Sequence, residues 1–165
     1  MPDIIQLENF FLNKLHADWV QPKRLPAEIT SRVRVNYDVL RHRDEPRRFR
    51  LTLKVIVQSE VAGEKAGYQI ASEIVGLFSF PEGMAEDQIQ ALVRINGGTI
   101  LYGILRGEVA AITGSFAGRK FILPTVFMPD IVRQIEGGRT NAGRPRKAAK
   151  AGGRAGGAAN RRTKG

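Results

Sequence analysis

The chain contains four stretches whose apolar residues predict β-strands. Residues 32–39, 48–57 and 68–80 alternate between apolar and polar positions, which is the period of a strand with one dry and one wet face. Residues 4–15 carry large apolar residues on both faces and predict a first strand that is either buried on both sides or covered by something else. Turn signals such as Asp44-Glu45-Pro46 separate the runs. Together they predict a four-stranded antiparallel β-meander.

The apolar period then changes to about 3.6 residues, which is the period of a helix. Residues 85–95 and 99–113 predict one long helix that is interrupted at Asn96-Gly97-Gly98. A short C-terminal helix is predicted over residues 126–135, with Phe127 among its inner positions. The predicted fold class is therefore α+β.

One side of the long helix combines apolar residues with glycines, each of which costs a helix interior about 1 kcal/mol relative to alanine. This side either packs on the sheet or is approached closely by the backbone of another subunit. Glu108 projects into it, and an ion-paired interface or helix-end position explains this residue better than catalysis does. The candidate interface residues are Ile100, Gly103, Ile104, Gly107, Glu108 and Ala111.

The positive charge of the chain is concentrated at its C-terminal end. The formal net charge is +10, and residues 136–165 hold nine Lys or Arg residues against one Glu, which gives +8. Residues 137–165 consist mainly of Gly, Ala, Arg and Lys, and such a segment cannot bury enough surface to offset the entropy of ordering it. The sequence predicts a folded domain over residues 1–136 and a disordered basic tail over residues 137–165.

Several functional classes lack support in the sequence. The chain has no cysteine, which excludes disulfides, thiol nucleophiles and thiolate metal sites. Its two histidines, His16 and His42, lie in different strand regions, and there is no nucleophile–base pattern, phosphate-binding loop or metal-ligand cluster. The first residues lack the pattern of a signal peptide, and no apolar run approaches the roughly 20 residues of a membrane span. We expect a cytoplasmic protein without enzymatic activity, metal or cofactor.

Three stretches, in this order, resemble motifs of the SecB-type protein-export chaperones. Residues 76–80, Gly-Leu-Phe-Ser-Phe, are similar to the end of that family's last strand. Residues 99–106 resemble the Ile-Leu-aromatic run that ends in arginine in the family's long helix. Residues 116–132 resemble the family's Leu-x-Leu-x-Pro link and the short helix after it. The resemblance covers residues 5–135.

The resemblance implies a homotetramer, built as a dimer of dimers, that binds unfolded client polypeptides along hydrophobic grooves without ATP. Members of the family pass presecretory clients to the motor SecA, and others serve toxin–antitoxin systems, in which an antitoxin is the partner. Trp19 is equally compatible with a groove and with an ordinary core or rim position. The candidate groove residues are Phe10, Leu12, Trp19, Val20, Leu25, Phe78 and Phe80.

The sequence departs from the family in its charge. Residues 32–54 carry eight basic and three acidic residues, whereas the family docks SecA on an acidic sheet face, so repulsion is expected there. The tail segment Gly143-Arg144-Pro145-Arg146-Lys147 looks like the core of an AT-hook, which lies in the minor groove of DNA. Arg144, Pro145, Arg146 and Lys147 are therefore candidates for contact with DNA or RNA. The alternative is a solubilising tail that binds polyanions only at low salt.

Overall fold

The computed structural model describes residues 5–25 and 27–142, and it consists of one antiparallel sheet with helices on one face. The strands are β1 (Gln6–Val20), β2 (Thr30–Arg41), β3 (Arg48–Val61) and β4 (Glu64–Ser79). The helices are α1 (Glu86–Leu92), α2 (Gly98–Thr113) and α3 (Met128–Ala142), and one π-helical turn, Val93–Gly97, joins α1 to α2. The predicted α+β class is confirmed.

The strands lie in the order β1-β4-β3-β2. The predicted meander is confirmed for β2, β3 and β4, but β1 lies at the far edge against β4 and does not pair with β2. Residues 21–29 join β1 to β2, and this link is too long for a tight hairpin. It carries the chain across the end of the sheet, so β3 and β4 become the central strands.

The apolar residues of β1 occupy both sets of alternating positions in the sequence. The reason is that two bulges interrupt the pairing of β1 with β4, after Leu7 and after Leu12. Each extra residue reverses the alternation of the side chains. Four apolar residues of β1 consequently share the helix side of the sheet: Leu7, Phe10, Leu12 and Leu15. The strand is therefore not buried on both sides, and Phe10 keeps a substantial solvent-exposed fraction.

The long helix packs directly on β4 because Gly76 has no side chain. A Cβ atom at Gly76 would lie 2.8 Å from Leu101 Cδ2, which is closer than real Cβ contacts. Leu101, Leu105 and Val109 of α2 are fully buried against the sheet. The motif that ends β4 thus has a structural role, since it sets the distance between the sheet and the helix layer.

The predicted interruption of the long helix is a π turn and not a break, so α1 and α2 form one continuous helical segment. Both glycines at this point lie in tight packing. A Cβ atom at Gly97 would lie 3.2 Å from Phe78, and one at Gly98 would lie 3.1 Å from the sulfur of Met128 on α3. The turn therefore lets the helix backbone contact the sheet on one side and α3 on the other.

α3 begins at Met128, which is buried, and continues past the predicted end at Ile135 to Ala142. Phe127, predicted to be an inner position, is 65% exposed and directly precedes the helix, whose first backbone hydrogen bonds its carbonyl accepts. The predicted division of the chain at residue 137 falls inside α3, and it stays a prediction because most of the tail lies outside the described residues.

A polar cluster attaches α3 to the sheet and to the π turn. The hydroxyl of Tyr37 on β2 donates to Glu136 Oε1 at 3.1 Å, and Arg94 Nη1 donates to the same oxygen at 2.8 Å. Arg139 Nη2 donates to the Tyr37 carbonyl oxygen at 2.7 Å. Burial, followed by the hydrogen bond to Glu136, raises the pKa of Tyr37, so this hydroxyl stays a neutral donor.

We predict that Gly76→Ala destabilises the protein by about 1–3 kcal/mol, because the new methyl group overlaps Leu101 and forces the helix away from the sheet. Gly137→Ala is the control, since a Cβ atom there meets nothing within 4 Å and alanine favours a helix by about 1 kcal/mol. Urea unfolding of both variants measures the difference. Equal stabilities would contradict the close contact between Gly76 and Leu101.

Candidate functional site

An aromatic cluster closes the end of the sheet where β1 finishes. The rings of Trp19 on β1 and Tyr68 on β4 meet edge-on with centroids 4.9 Å apart. Phe116 and Phe121, from the link between α2 and α3, pack on Tyr68 at centroid distances of 6.1 and 5.6 Å. Register explains the pairing, because Trp19 lies directly opposite Tyr68. The cluster therefore joins strands β1 and β4 to the link that follows α2.

Hydrogen bonds fix this link, residues 114–127, against the end of α2. The buried Tyr68 hydroxyl lies 3.1 Å from the carbonyl oxygen of Thr113 and also hydrogen-bonds the carbonyl of Arg119. Thr113 Oγ1 donates to the Val109 carbonyl at 2.6 Å and accepts from the Phe121 amide at 2.9 Å. Burial raises the pKa of Tyr68, so its hydroxyl remains protonated and serves as a structural donor.

A cleft of about 200 Å³ opens within this cluster. Gly118 lies flat on the Trp19 ring, and a side chain at that position would overlap the ring. Trp19 Nε1 donates to Gln21 Oε1 at 3.1 Å, which fixes the orientation of the indole. Sites for drug-sized ligands occupy about 300–1,000 Å³, so this smaller cleft suits a single side chain of a polypeptide. We call it the aromatic cleft; its walls are Trp19, Ile29, Ser31, Ser59, Tyr68, Gly118, Lys120 and Phe121.

Large apolar side chains are exposed in the two links that border this end of the sheet. Leu25 in the β1–β2 link is 73% exposed, and Ile122 in the α2–α3 link is 54% exposed. Ile122 directly follows Phe121, a wall of the aromatic cleft, whereas Phe127 lies at the far end of the same link, where the next residue, Met128, packs on Gly98 at the start of α2. Exposed apolar side chains of this size on one part of a surface are characteristic of binding sites for polypeptides.

The seven predicted groove residues fall into three groups. Phe10 and Leu25 are exposed, whereas Leu12, Trp19 and Val20 are half-buried. The choice of Phe78 and Phe80 was wrong, because they are only 0% and 6% exposed and therefore cannot contact a client. Phe78 points to the helix side of β4 beneath Gly97 of the π turn, and Phe80, one residue past β4, packs edge-on against Phe49. Only Trp19 among the seven is a wall of the aromatic cleft.

Sequence reasoning missed Ile122 and Phe127 as exposed residues. The signal for Ile122 was present, because an extended segment alternates and Leu123 is the fully buried neighbour. Phe127 was placed inside because its spacing to Ile131 is helical, but the helix begins one residue later. Gly118 carries no sequence signal at all, since only the approach of Trp19 makes a glycine necessary there.

The six candidate interface residues share the side of α2 that points away from the sheet. Gly103 and Gly107 are exposed, and a Cβ atom on either would meet nothing within 4 Å. Ile100 and Ile104 are half-buried, and Glu108 and Ala111 are exposed. Packing on the sheet therefore does not account for the glycines of α2, because the buried side of the helix is a different one. We call this surface the glycine face of α2.

The outer face of the sheet is less basic than residues 32–54 suggested. Carboxylates from sequence-distant positions lie beside its basic residues in three ion pairs: Arg32 with Glu60 (3.0 Å), Lys54 with Glu73 (3.3 Å) and Arg48 with Glu8 (3.3 Å). A hydrogen bond from Asn13 and the ammonium of Lys54 hold the pKa of Glu73 below its usual value, so this carboxylate is charged. The charge of this face is thus partly compensated, since folding brings Glu8, Glu60 and Glu73 next to the cations, and the repulsion of a SecA-type partner stays a prediction.

Within residues 5–25 and 27–142, no group of three or more His, Asp or Glu side chains could hold a metal ion. His16 Nε2 lies 2.7 Å from Asp18 on the surface, and His42 Nδ1 accepts backbone N–H groups of its own turn. No helix in the described part of the chain is both long and apolar enough to cross a membrane. The nucleic-acid candidates Arg144, Pro145, Arg146 and Lys147 lie outside the described residues.

The sheet with one helix layer places the chain among proteins with the SecB-like chaperone fold. The solved structure that carries this likeness is a SecB-like chaperone of Mycobacterium tuberculosis in complex with a ChAD peptide from the HigA1 antitoxin. It aligns with a TM-score of 0.62 and 16% identity, over 74% of this chain and 91% of that chain. A protein of unknown function from Streptococcus agalactiae aligns over 73% of this chain and 97% of that chain, with 12% identity and a TM-score of 0.38. No family model and no curated protein matches the sequence.

We predict that Gly118→Ala displaces the ring of Trp19, because the added methyl group occupies the space of the indole. Trp19 is the only tryptophan of the chain, so its fluorescence reports this movement directly. The emission should shift to longer wavelength as the indole gains contact with water. Gly137→Ala is the control and should leave the spectrum unchanged; an unchanged spectrum in both variants would contradict the contact.

Proposed function

We propose that this protein is an ATP-independent chaperone that binds unfolded or non-native polypeptides and catalyses no reaction. The observation that carries the proposal is the SecB-like fold, with an aromatic cleft and exposed apolar side chains at one end of the sheet. A holder of varied clients needs many weak contacts that tolerate different sequences. A cleft for one side chain, bordered by apolar surface, provides contacts of this kind.

The geometry of the cleft supports binding of an extended client. Successive side chains of an extended segment point to opposite sides, so a client can insert one side chain between Trp19 and Phe121 while its neighbours contact the rim. Ile29, a wall of the cleft, and Ile122, next to Phe121, supply apolar surface at that rim. The Tyr68 hydrogen bonds keep the cleft formed without a client, which lowers the entropic cost of binding.

An antitoxin segment belongs to the client class that we propose. The Mycobacterium tuberculosis chaperone with this fold is bound to a peptide from an antitoxin, which supports the capacity of the fold to receive a polypeptide segment. Presecretory proteins are the other class that the family resemblance implies. Both classes present unfolded apolar segments, so one cleft serves either of them.

We predict that Ile122→Ser weakens client binding by about tenfold, because burial of an isoleucine side chain contributes roughly 1.5–3 kcal/mol. Suppression of aggregation of a chemically unfolded client, measured without ATP, should fall with it. Trp19 fluorescence during titration with the unfolded client gives the affinity independently. A wild-type protein that suppresses no aggregation would overturn the proposed function.

Phe11→Ser is the matched control for this experiment. Phe11 is likewise an exposed apolar side chain, 44% exposed against 54% for Ile122, but it lies opposite Val75 on the outer face of the sheet, away from the aromatic cleft. The control variant should keep wild-type suppression. If both substitutions weaken suppression equally, client binding does not depend on the surface around the cleft.

We propose further that the glycine face of α2 is the contact between subunits of a homotetramer, arranged as a dimer of dimers. Gly103 and Gly107 lie beside Ile100 and Ile104 and leave room for another backbone to approach closely. Such an approach would bury the half-exposed isoleucines and would explain why the helix keeps two unfavourable glycines. Glu108 at the margin would then find its partner across the contact.

We predict that Gly107→Leu breaks the tetramer into smaller species. Open space surrounds this position in a single chain, so the leucine fits the folded monomer and blocks only the approach of another subunit. Light scattering after size-exclusion chromatography measures the mass, and circular dichroism checks the fold. Gly137→Leu, at an open position on α3, should remain tetrameric. A wild-type protein that runs as a monomer would contradict the assembly.

A further inference from the structure

A second recess, of about 470 Å³, lies at the end of the sheet near the β2–β3 turn, and arginines dominate its walls. We call it the arginine pocket and define it by six residues that line it: Leu40, Arg41, Arg43, Arg48, Arg50 and Leu77. Glu8 is the acidic residue at its margin. Arg43, Arg48 and Arg50 give the recess a positive potential that extends into solvent, whereas the guanidinium of Arg41 lies over the Phe49 ring on the helix side of the sheet.

The centre of the pocket is a cation between two aliphatic side chains. Arg50 on β3 is directly opposite Leu40 on β2 and directly opposite Leu77 on β4. All three therefore stand side by side on the outer face of the sheet. Leu40 is 53% exposed, so its apolar surface is accessible next to the guanidinium. A ligand here meets positive charge and apolar surface together.

The four arginines differ in whether a carboxylate of the protein already pairs with them. Arg41 lies 3.5 Å from Glu86, and Arg48 lies 3.3 Å from Glu8, so these two are partly neutralised. Arg43 and Arg50 are exposed and form no ion pair closer than 4.0 Å within the described part of the chain, although the charge of Arg50 also acts on the nearby Glu73 carboxylate. Two guanidinium groups are thus available for a carboxylate, which arginine binds in a bidentate geometry.

We propose that the arginine pocket docks an acidic segment of a partner polypeptide. Carboxylates of that segment bind Arg43 and Arg50, and an adjacent apolar side chain packs on Leu40 and Leu77. The partner is recognised by its chemistry, which is a run of Asp or Glu residues interspersed with aliphatic ones. Complementary charge across such a surface accelerates association and selects against basic partners.

The same features favour a polypeptide over a nucleic acid. Glu8 lines the pocket, and Glu45 lies 2.7 Å from Arg48, so a chain with a phosphate at every nucleotide would meet carboxylates as well as arginines. A peptide can place its carboxylates only where the free guanidinium groups lie. Leu40 and Leu77 match aliphatic side chains and offer nothing to a sugar–phosphate backbone.

The pocket is separate from the client site, so this inference goes beyond the proposed chaperone function. Arg50 and Leu77 project from the outer face of the sheet, whereas the aromatic cleft is built on the face that carries the helices. The two sites also lie at opposite ends of β4, since Leu77 is near its end and Tyr68 near its start. A client and an acidic partner can therefore be bound at the same time.

The test uses the full-length protein and a short fluorescein-labelled peptide that repeats Asp-Leu-Ser-Glu, with fluorescence anisotropy as the measurement. The double variant R43Q/R50Q should bind at least about tenfold more weakly, because two charge-assisted contacts are lost. Leu40→Ser should also weaken binding, and this loss should persist at high salt because apolar contacts are not screened. A peptide with Asn and Gln in place of Asp and Glu should not bind.

The double variant R32Q/R34Q is the charge-matched control, because it also removes two positive charges and because Arg32, which pairs with Glu60 at 3.0 Å, lies outside the pocket as well. Arg34 lies on the same face and hydrogen-bonds Gln58 at 2.6 Å, outside the pocket. Removal of these two charges should change peptide affinity less than about twofold, since exposed charges outside the contact contribute little. The basic tail is identical in every variant, so its own attraction for the peptide cancels.

Three results would overturn the proposal. The first is an equal loss in R43Q/R50Q and R32Q/R34Q, and the second is equal binding of the neutral peptide. The third is that R43Q/R50Q loses a single-stranded DNA probe but keeps the peptide. Suppression of client aggregation by R43Q/R50Q should equal that of the wild type. If the wild type fails to suppress aggregation while the double variant still loses the peptide, the chaperone function fails and the docking site stands.

Discussion

The structure depends on the direct contact of one helix with the sheet at Gly76. Leu101 occupies the space that a side chain on Gly76 would need, and the π turn brings the backbone at Gly97 down onto Phe78 in the same region. Close packing of this kind tolerates no extra atoms, because protein interiors are as dense as organic crystals. The height of the helix above the sheet, and with it the position of everything that follows α2, is fixed at this contact.

That position determines where the aromatic cleft forms. α2 ends at Thr113, whose hydroxyl binds the returning backbone at Phe121, and the Tyr68 hydroxyl reaches the same segment from β4. The link between α2 and α3 is therefore held by side chains of the sheet and of the helix at once. Gly118 can then lie on the Trp19 ring. A shift of the helix along the sheet would separate these partners, so the cleft is a consequence of how the core packs.

Local patterns of the sequence were sufficient for the fold class and for most elements. Period-2 and period-3.6 runs depend on neighbours in the chain, so β2, β3, β4 and the long helix followed from them. The edge position of β1, the bulge that reorients Phe10 and the burial of Phe78 depend on partners far away in sequence. The same reason applies to charge, because the pairing of Lys54 with Glu73 arises only when β3 and β4 align. For the site, composition suggested Trp19, but its partner Gly118 required the tertiary structure.

The two bulges of β1 have a consequence for the behaviour of the protein in a crowded solution. Within the described residues β1 pairs only with β4, so its outer edge presents backbone groups that another strand could join. Bulges twist an edge and disturb the regular spacing of its donors and acceptors, which makes continuous sheet growth unfavourable. A protein that exposes Leu25, Ile122 and Phe127 to solvent is at risk of assembling into fibres with its own kind. The irregular edge therefore prevents the exposed apolar side chains and the unpaired strand edge from acting together as a template for aggregation.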